Sequence, residues 1–211
     1  MSGFMQDPTA IGAKGIGLED SFHFKCNACG NCCRGRMNDI DETGIFLSGP
    51  DIWRIMEFTN LSFADLLDRH INVRLDPVLK IQVCSLRFKY SGVCTFLKKG
   101  RCSIYEARPR TCSLYPLGRA ILFKQIGNEF VHYEDTYVVS DPDSNYECDN
   151  QADDRYTINE WLARNNVPLN DKEDIEWFKL VTEFSYRANK KKLQATELKK
   201  IFNDLYQKGR D

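Results

Sequence analysis

Cys26-Asn-Ala-Cys29-Gly-Asn-Cys32-Cys33 places four sulfurs within eight residues. Packing does not require that density and a disulfide framework fits it poorly, whereas a thiolate-bound metal fits it. A C-x-x-C step turns the backbone so that two sulfurs can face one ion, and zinc and iron–sulfur clusters both accept four thiolates. Gly30 is free to take positive φ, and Asn27 and Asn31 tolerate turns. In an extended stretch adjacent side chains point apart. On that reading the Cys32-Cys33 doublet serves two metals, or two sides of one polynuclear site.

A second cysteine block runs from Cys94 through Cys102 to Cys112. Cys94 and Cys102 flank a turn signal at Lys98-Lys-Gly100, and a hairpin there would bring their sulfurs together. Ser103 is a candidate cap for a short helical turn that Pro109 ends, leaving Cys112 beyond it and able to return to the same site. Arg34, Arg36, Arg101, Arg108 and Arg110 set positive charge beside sulfur, which offsets thiolate charge; the competing reading is solvated surface arginines. Arg108 is expected to grip a carboxylate and lock the loop. Cys84 falls inside an alternating stretch, not a turn, and reads as a structural thiol. His23, His70 and His132 read as a surface, a helix-end and a sheet residue.

The elements that must position these sulfurs predict an α+β fold. Phe22 and Phe24 suggest a short strand entering the first cysteine loop, and residues 78–86 alternate as a strand would. Helices are expected over Asp51–Phe58, after Pro50, and from Ser62 to about Ile71. Strands over Arg119–Ile126 and Glu129–Val138 meet at Gly127-Asn128, and a loop at Asp141–Asn145 leads to Cys148. Thr157-Ile-Asn-Glu160 matches a capping box, and a long helical pattern from Asp171 to about Gln207 has a break near residues 188–192. The organisation read from this is an irregular arm over residues 1–21, a cysteine-rich metal-binding core over 22–150, and a helical C-terminal extension over 151–211 packed on it. Gly12, Gly15 and Gly17 do not follow a strand, which argues against a phosphate loop.

The 211 residues carry a net charge of −1 and are 42% hydrophobic, so a real core is available and nucleic acid is not an expected partner. No apolar run is long enough to span a bilayer, and the first residues lack the pattern of a secretory signal. Nine cysteines in that context predict a reducing, cytoplasmic setting in which thiols hold metal.

Cys26-x2-Cys29-x2-Cys32-Cys33, then Cys94-x-Phe-Leu, Arg-Cys102-Ser-Ile-Tyr, Arg108-Pro109, Cys112 and Tyr115-Pro116, resemble the YkgJ-type cysteine-cluster family of zinc- or iron-chelating domains. The resemblance spans about residues 22–150. It implies eight metal ligands: Cys26, Cys29, Cys32, Cys33, Cys94, Cys102, Cys112 and Cys148. Members usually have an arginine after the cysteine matching Cys112, where this chain has Ser113; Arg110 is the expected substitute. The same cluster occurs in proteins similar to flagellin lysine methylases, which implies a link to protein modification.

These features predict a metalloprotein with one or two thiolate sites. The leading expectation is an iron–sulfur cluster or iron in a redox role, acting on a protein or peptide. The main alternative is a zinc-stabilised, non-enzymatic protein-binding module, and a further one is a protein methyltransferase. No residue is marked as catalytic by its sequence context.

Overall fold

A computed structural model describes residues 15–24, 26, 30–34, 45–139 and 154–207. Strands β1 (Gly15–Ile16) and β2 (Ser21–His23) precede a 3-10 turn at Asn31–Cys33 and strand β3 (Phe46–Leu47). Helix α1 (Gly49–Thr59) begins at a capping box, with the Ser48 hydroxyl accepting the Asp51 N–H and the Asp51 carboxylate accepting the Ser48 N–H. Helix α2 (Phe63–Arg69) repeats the device with Ser62 and Asp65. It ends two residues short of the predicted Ile71, because Ile71 opens strand β4 (Ile71–Leu75), which the sequence pattern had concealed inside the helix. The Arg87 guanidinium donates to the carbonyls of Leu67 at 2.6 Å and Ile71 at 2.8 Å, closing that junction.

Strand β5 (Gln82–Leu86) starts later than the alternation from Val78 suggested. The Asp76 carboxylate accepts the N–H groups of Val78 and Leu79 and folds that stretch into a turn. Strands β6 (Leu97–Lys98) and β7 (Arg101–Cys102) form the predicted hairpin, closed by left-handed Lys99 and Gly100. A second 3-10 turn, Tyr105–Ala107, follows Ile104 without a side-chain cap, so Ser103 does not play the part expected of it. Cys112 then lies within a helix, α3 (Arg110–Leu114), not in a bare return loop.

Strands β8 (Leu117–Ile126) and β9 (Glu129–Val139) pair across Gly127-Asn128 as predicted. Gly15 and Ile16 pair with Val138 and Tyr137, so part of the supposed irregular arm is a sheet edge. Strand β10 (Arg155–Thr157) pairs with β2 and leads into α4 (Ile158–Arg164), whose capping box joins Thr157 to Glu160. Helices α5 (Lys172–Lys190) and α6 (Ala195–Tyr206) are separated by the predicted break. Together these are the helices and antiparallel strands of an α+β fold. Among the described residues, no helix is long and apolar enough to cross a membrane.

Two buried clusters organise the packing, and the C-terminal helices enter both. The larger joins Leu47, Ile52, Ile55, Leu66 and Val83 to Trp177, Val181, Ile201, Leu205 and Tyr206. The smaller joins Phe22, Phe24, Leu114 and Leu117 to Ile158, Trp161 and Leu162. Cys84 is fully buried, as a structural thiol should be, and burial pushes its thiol up. Its N–H donates to the Tyr206 hydroxyl at 3.1 Å, which in turn donates to the Leu47 carbonyl at 3.3 Å. Tyr206 therefore ties the end of α6 to β3 and β5.

Gly49 occupies the point where α1 meets this assembly. A Cβ there would lie 2.6 Å from the Leu205 carbonyl oxygen and 2.6 Å from the Trp177 indole nitrogen. Those two atoms are already hydrogen-bonded to each other at 2.8 Å, so neither can yield freely. Gly49→Ala should lower stability by about 1–3 kcal/mol, the usual cost of overpacking. Urea unfolding of both proteins checks this, and an unchanged midpoint would contradict it.

Candidate metal centre

The first cysteine segment turns at Gly30, whose φ of +73° lies in the left-handed region that favours glycine. The Cys33 N–H then donates to the Gly30 carbonyl at 3.0 Å. Cys32 and Cys33 thus sit on a 3-10 turn and not on the extended backbone the doublet was read with. Their thiols hydrogen-bond each other instead of pointing to opposite sides. The turn rests on the β6–β7 hairpin: a Cβ at Gly30 would be 3.4 Å from the Gly100 carbonyl oxygen and 3.4 Å from Leu97 Cδ1. The Cys94 N–H donates to the Cys33 carbonyl at 2.9 Å, and Arg34 bridges Val93. These contacts join the two cysteine blocks through the backbone.

In the second block the Cys94 sulfur accepts the N–H groups of Phe96 and Leu97, and the Cys102 sulfur accepts that of Ile104. Cys102 is paired across the hairpin with Leu97. The third sulfur comes from α3, a five-residue helix too short to persist by itself. Both of its ends are capped from elsewhere in the chain. At the N-terminus, Asp51 Oδ1 accepts the Arg110 N–H at 2.9 Å, while its Oδ2 serves the α1 capping box. At the C-terminus, the Trp161 indole N–H donates to the Leu114 carbonyl at 3.0 Å.

The arginines flanking Cys112 have divided roles, and not those expected. Among the described residues, Arg108 grips no carboxylate. It donates to Ser113 Oγ at 3.2 Å and Asn165 Oδ1 at 2.5 Å, and stacks 4.2 Å over the Tyr105 ring. From there its charge lowers the thiols of Cys32 and Cys102. Arg110 does not substitute for the arginine missing at Ser113, because its guanidinium turns to Asp171 at 2.6 Å, the Asn166 carbonyl at 3.1 Å and Asp174 at 3.9 Å. Among the described residues, Arg108 is the arginine whose charge acts on the thiols.

Electrostatics gather the thiols into one neighbourhood. The hydrogen bond with Cys33 is the largest influence raising Cys32, followed by burial. Burial raises Cys94 and Cys102. Cys112 is pushed well up by burial, then by Cys94, Cys32, Asp51 and Cys102. Cys32, Cys94, Cys102 and Cys112 therefore lie within range of one another's charge, with Cys33 beside Cys32, while Cys26 is exposed. Cys29 and Cys148 are outside the described residues. Among the described residues, no three His, Cys, Asp or Glu side chains converge to hold an ion in their present arrangement.

The three histidines lie on separate parts of the fold. His23 is exposed on β2. His70 stacks on Phe96 and bonds the Thr95 hydroxyl at 2.9 Å, and His132 pairs with Asp135 at 2.9 Å. Sequence reasoning overlooked Asp51, Trp161, Asn165 and Asp171. The Ser48-x-x-Asp51 spacing marks a cap, but nothing in it announces the second use of the Asp51 carboxylate.

Set against known protein families, residues 25–137 match the one described as "CxxCxxCC: Putative zinc- or iron-chelating domain". The chain belongs to this family. No curated protein and no solved structure matches it. The match ends within β9, so the helices that cap and brace the Cys112 segment lie beyond the part that defines a CxxCxxCC domain. The donor set suits the group the family is named for: a cation bound by thiolates would relieve the mutual repulsion of these sulfurs. The N–H···S bonds at Cys94 and Cys102 stabilise the deprotonated form.

The carboxylates behind α3 generate a pH prediction. Asp174 faces Arg110 from α3, Arg119 from β8 at 3.2 Å, Asp171 at the start of α5 and Asp51 from α1; Asp135 on β9 holds the other side of Arg119 at 2.8 Å. Burial, then repulsion from Asp51 and Asp171, pushes Asp174 up from 3.8 to about 6. The native state holds this proton more tightly than the unfolded chain does. The resulting stabilisation is full below the unfolded value and is lost as pH rises through the folded one. It amounts to about 3 kcal/mol at most. Urea unfolding between about pH 4 and pH 7 should show that decline in the wild type, and Asp174→Asn should flatten it. Parallel profiles for the two proteins would refute the assignment.

Proposed function

We propose that this CxxCxxCC domain binds iron through its clustered thiols and works as a redox centre acting on a protein or peptide. Cys32, Cys33, Cys94, Cys102 and Cys112 would hold the metal, with Cys26, Cys29 and Cys148 completing eight thiols, enough for a polynuclear centre or two separate sites. The observation that carries the reading is the thiol surplus: five described cysteines share one neighbourhood, more than a mononuclear site can use. Iron bound by thiolates would supply one-electron chemistry. The chain's own contribution is a set of amide N–H groups and the Arg108 charge, which favour the thiolates against the burial that raises them; the bound cation would complete the deprotonation. Exposed Cys32 would leave the site accessible to a partner.

A second reading, a zinc-stabilised protein-binding module, is favoured by a different observation. Cys94 belongs to the larger core, and Cys33, Cys102 and Cys112 pack against it. A closed site there would cross-link the first cysteine turn, the hairpin and α3, and a structural zinc of this kind contributes roughly 10–16 kcal/mol of apparent binding free energy. The methyltransferase alternative is weaker: Gly15 lies in β1 and Gly17 follows it, with β2 next and not a helix.

Elemental analysis, acid-labile sulfide and the visible spectrum of anaerobically purified protein separate the two readings. Iron with sulfide and broad thiolate-to-iron absorbance is the expected result. A colourless protein at full zinc occupancy would overturn the redox reading and make the structural one primary.

A further inference from the structure

Cys112 is the sulfur whose position depends most on distant parts of the chain. Its helix has five residues and no cap of its own. Four bonds from the C-terminal segment hold that helix and its flanks: Trp161 to the Leu114 carbonyl, Asn165 to Arg108, and the Asn166 carbonyl and Asp171 to Arg110. Asp171 is buried, as is the neighbouring Asp174. Asp171 also stands at the N-cap position of α5, yet its carboxylate makes no capping bond there. A residue type well suited to cap its own helix is committed to Arg110 instead. None of these four partners lies within the part of the chain that matches the family.

We propose that Arg110 is a positioning residue through which the C-terminal helices hold Cys112 in place for metal binding, so that loading of the thiol site and docking of α5 are thermodynamically linked. The inference rests on the reading of Cys112 as a ligand. The physical argument is reciprocity. If the docked helices favour the arrangement of Cys112 that binds metal, bound metal must favour docking by the same factor. Arg110 suits the part because it reaches three groups on the α4–α5 connection and the start of α5, while its own N–H is fixed by Asp51. Arg108 contributes one further link, to Asn165, but it also faces the thiols, so changing it would mix charge with position.

The test uses the full, reduced chain and cobalt(II) as the probe, read by its sulfur-to-cobalt charge-transfer absorbance. Hydrogen exchange across α5 is followed with and without cobalt. Arg110→Gln should weaken cobalt binding by about tenfold, the effect of removing a charged, part-buried bond. Arg110→Lys, which keeps a charge for Asp171 but not the fork, should recover part of that loss. In the wild type, cobalt should slow exchange in α5, and in Arg110→Gln it should not. Should Arg110→Gln fail to fold, Asp171→Asn is read by the same titration, and the wild-type exchange experiment stands independently of either variant.

Wild-type cobalt affinity and spectrum in a folded Arg110→Gln protein would overturn the proposal. So would exchange in α5 that ignores cobalt. Cys112→Ser is the control that separates the two layers. If it binds cobalt as the wild type does, the ligand reading fails and the linkage falls with it. If it binds weakly while Arg110→Gln binds normally, Cys112 is a ligand and only the linkage is wrong.

Discussion

A single buried carboxylate sets the frame of the thiol site. Asp51 closes the first turn of α1 through one oxygen and the first turn of α3 through the other, and it also pairs with Arg54. The first role is local and follows from residues three apart. The second brings α3, and with it Cys112, against the start of α1. An amide at a helix N-terminus has no intrahelical partner, and a buried one must find an acceptor. Here the acceptor lies 59 residues away in sequence. The place of Cys112 is consequently set by where α1 begins, and α1 begins at Gly49, pressed against Trp177 and the Leu205 carbonyl.

The chain of dependence thus passes from the C-terminal helices to α1, and from α1 to a metal-ligand candidate. It also passes directly, through Trp161, Asn165 and Asp171. Both buried clusters contain residues from α4, α5 or α6, so these helices form part of the interior that the cysteine-rich segment packs against. A small cysteine cluster with few apolar neighbours would have to obtain its rigidity from metal. In this chain much of the scaffold is supplied by ordinary core packing and by charged bonds behind α3. On the side of the first cysteine turn, Cys26 and Cys32 meet solvent.

The charge distribution around the sulfurs is divided in the same way. Arg108 faces the thiols, whereas Arg110 faces the buried acids. Two arginines separated by one residue point to opposite tasks because Pro109 lies between them at the threshold of α3 and the chain changes direction there. Sequence proximity to cysteine is therefore a poor guide to which cation influences it. The amide N–H groups around Cys94 and Cys102 carry no sequence signal at all, yet they favour the thiolate as directly as a neighbouring charge does.

What the sequence determined by itself was local. Pro50, Ser62 with Asp65 and Thr157 with Glu160 announced three helix starts, and Gly127-Asn128 and Lys98-Lys-Gly100 announced two hairpins, because caps and turns involve residues only a few positions apart. The cysteine spacing likewise pointed to the chelating family, since a knuckle of thiols is a short-range pattern. Tertiary structure decided the rest. It drew β4 out of an apparent helix by pairing Ile71 with Leu86, and turned Gly15 and Ile16 into a strand by pairing them with β9. It placed Cys32 and Cys33 against each other, sent Arg110 away from the sulfurs, and built a helix around Cys112 from caps on α1 and α4. Each of these depends on partners tens of residues away, whose meeting is set by the burial of two cores and the need to satisfy buried polar groups, and no local pattern encodes that.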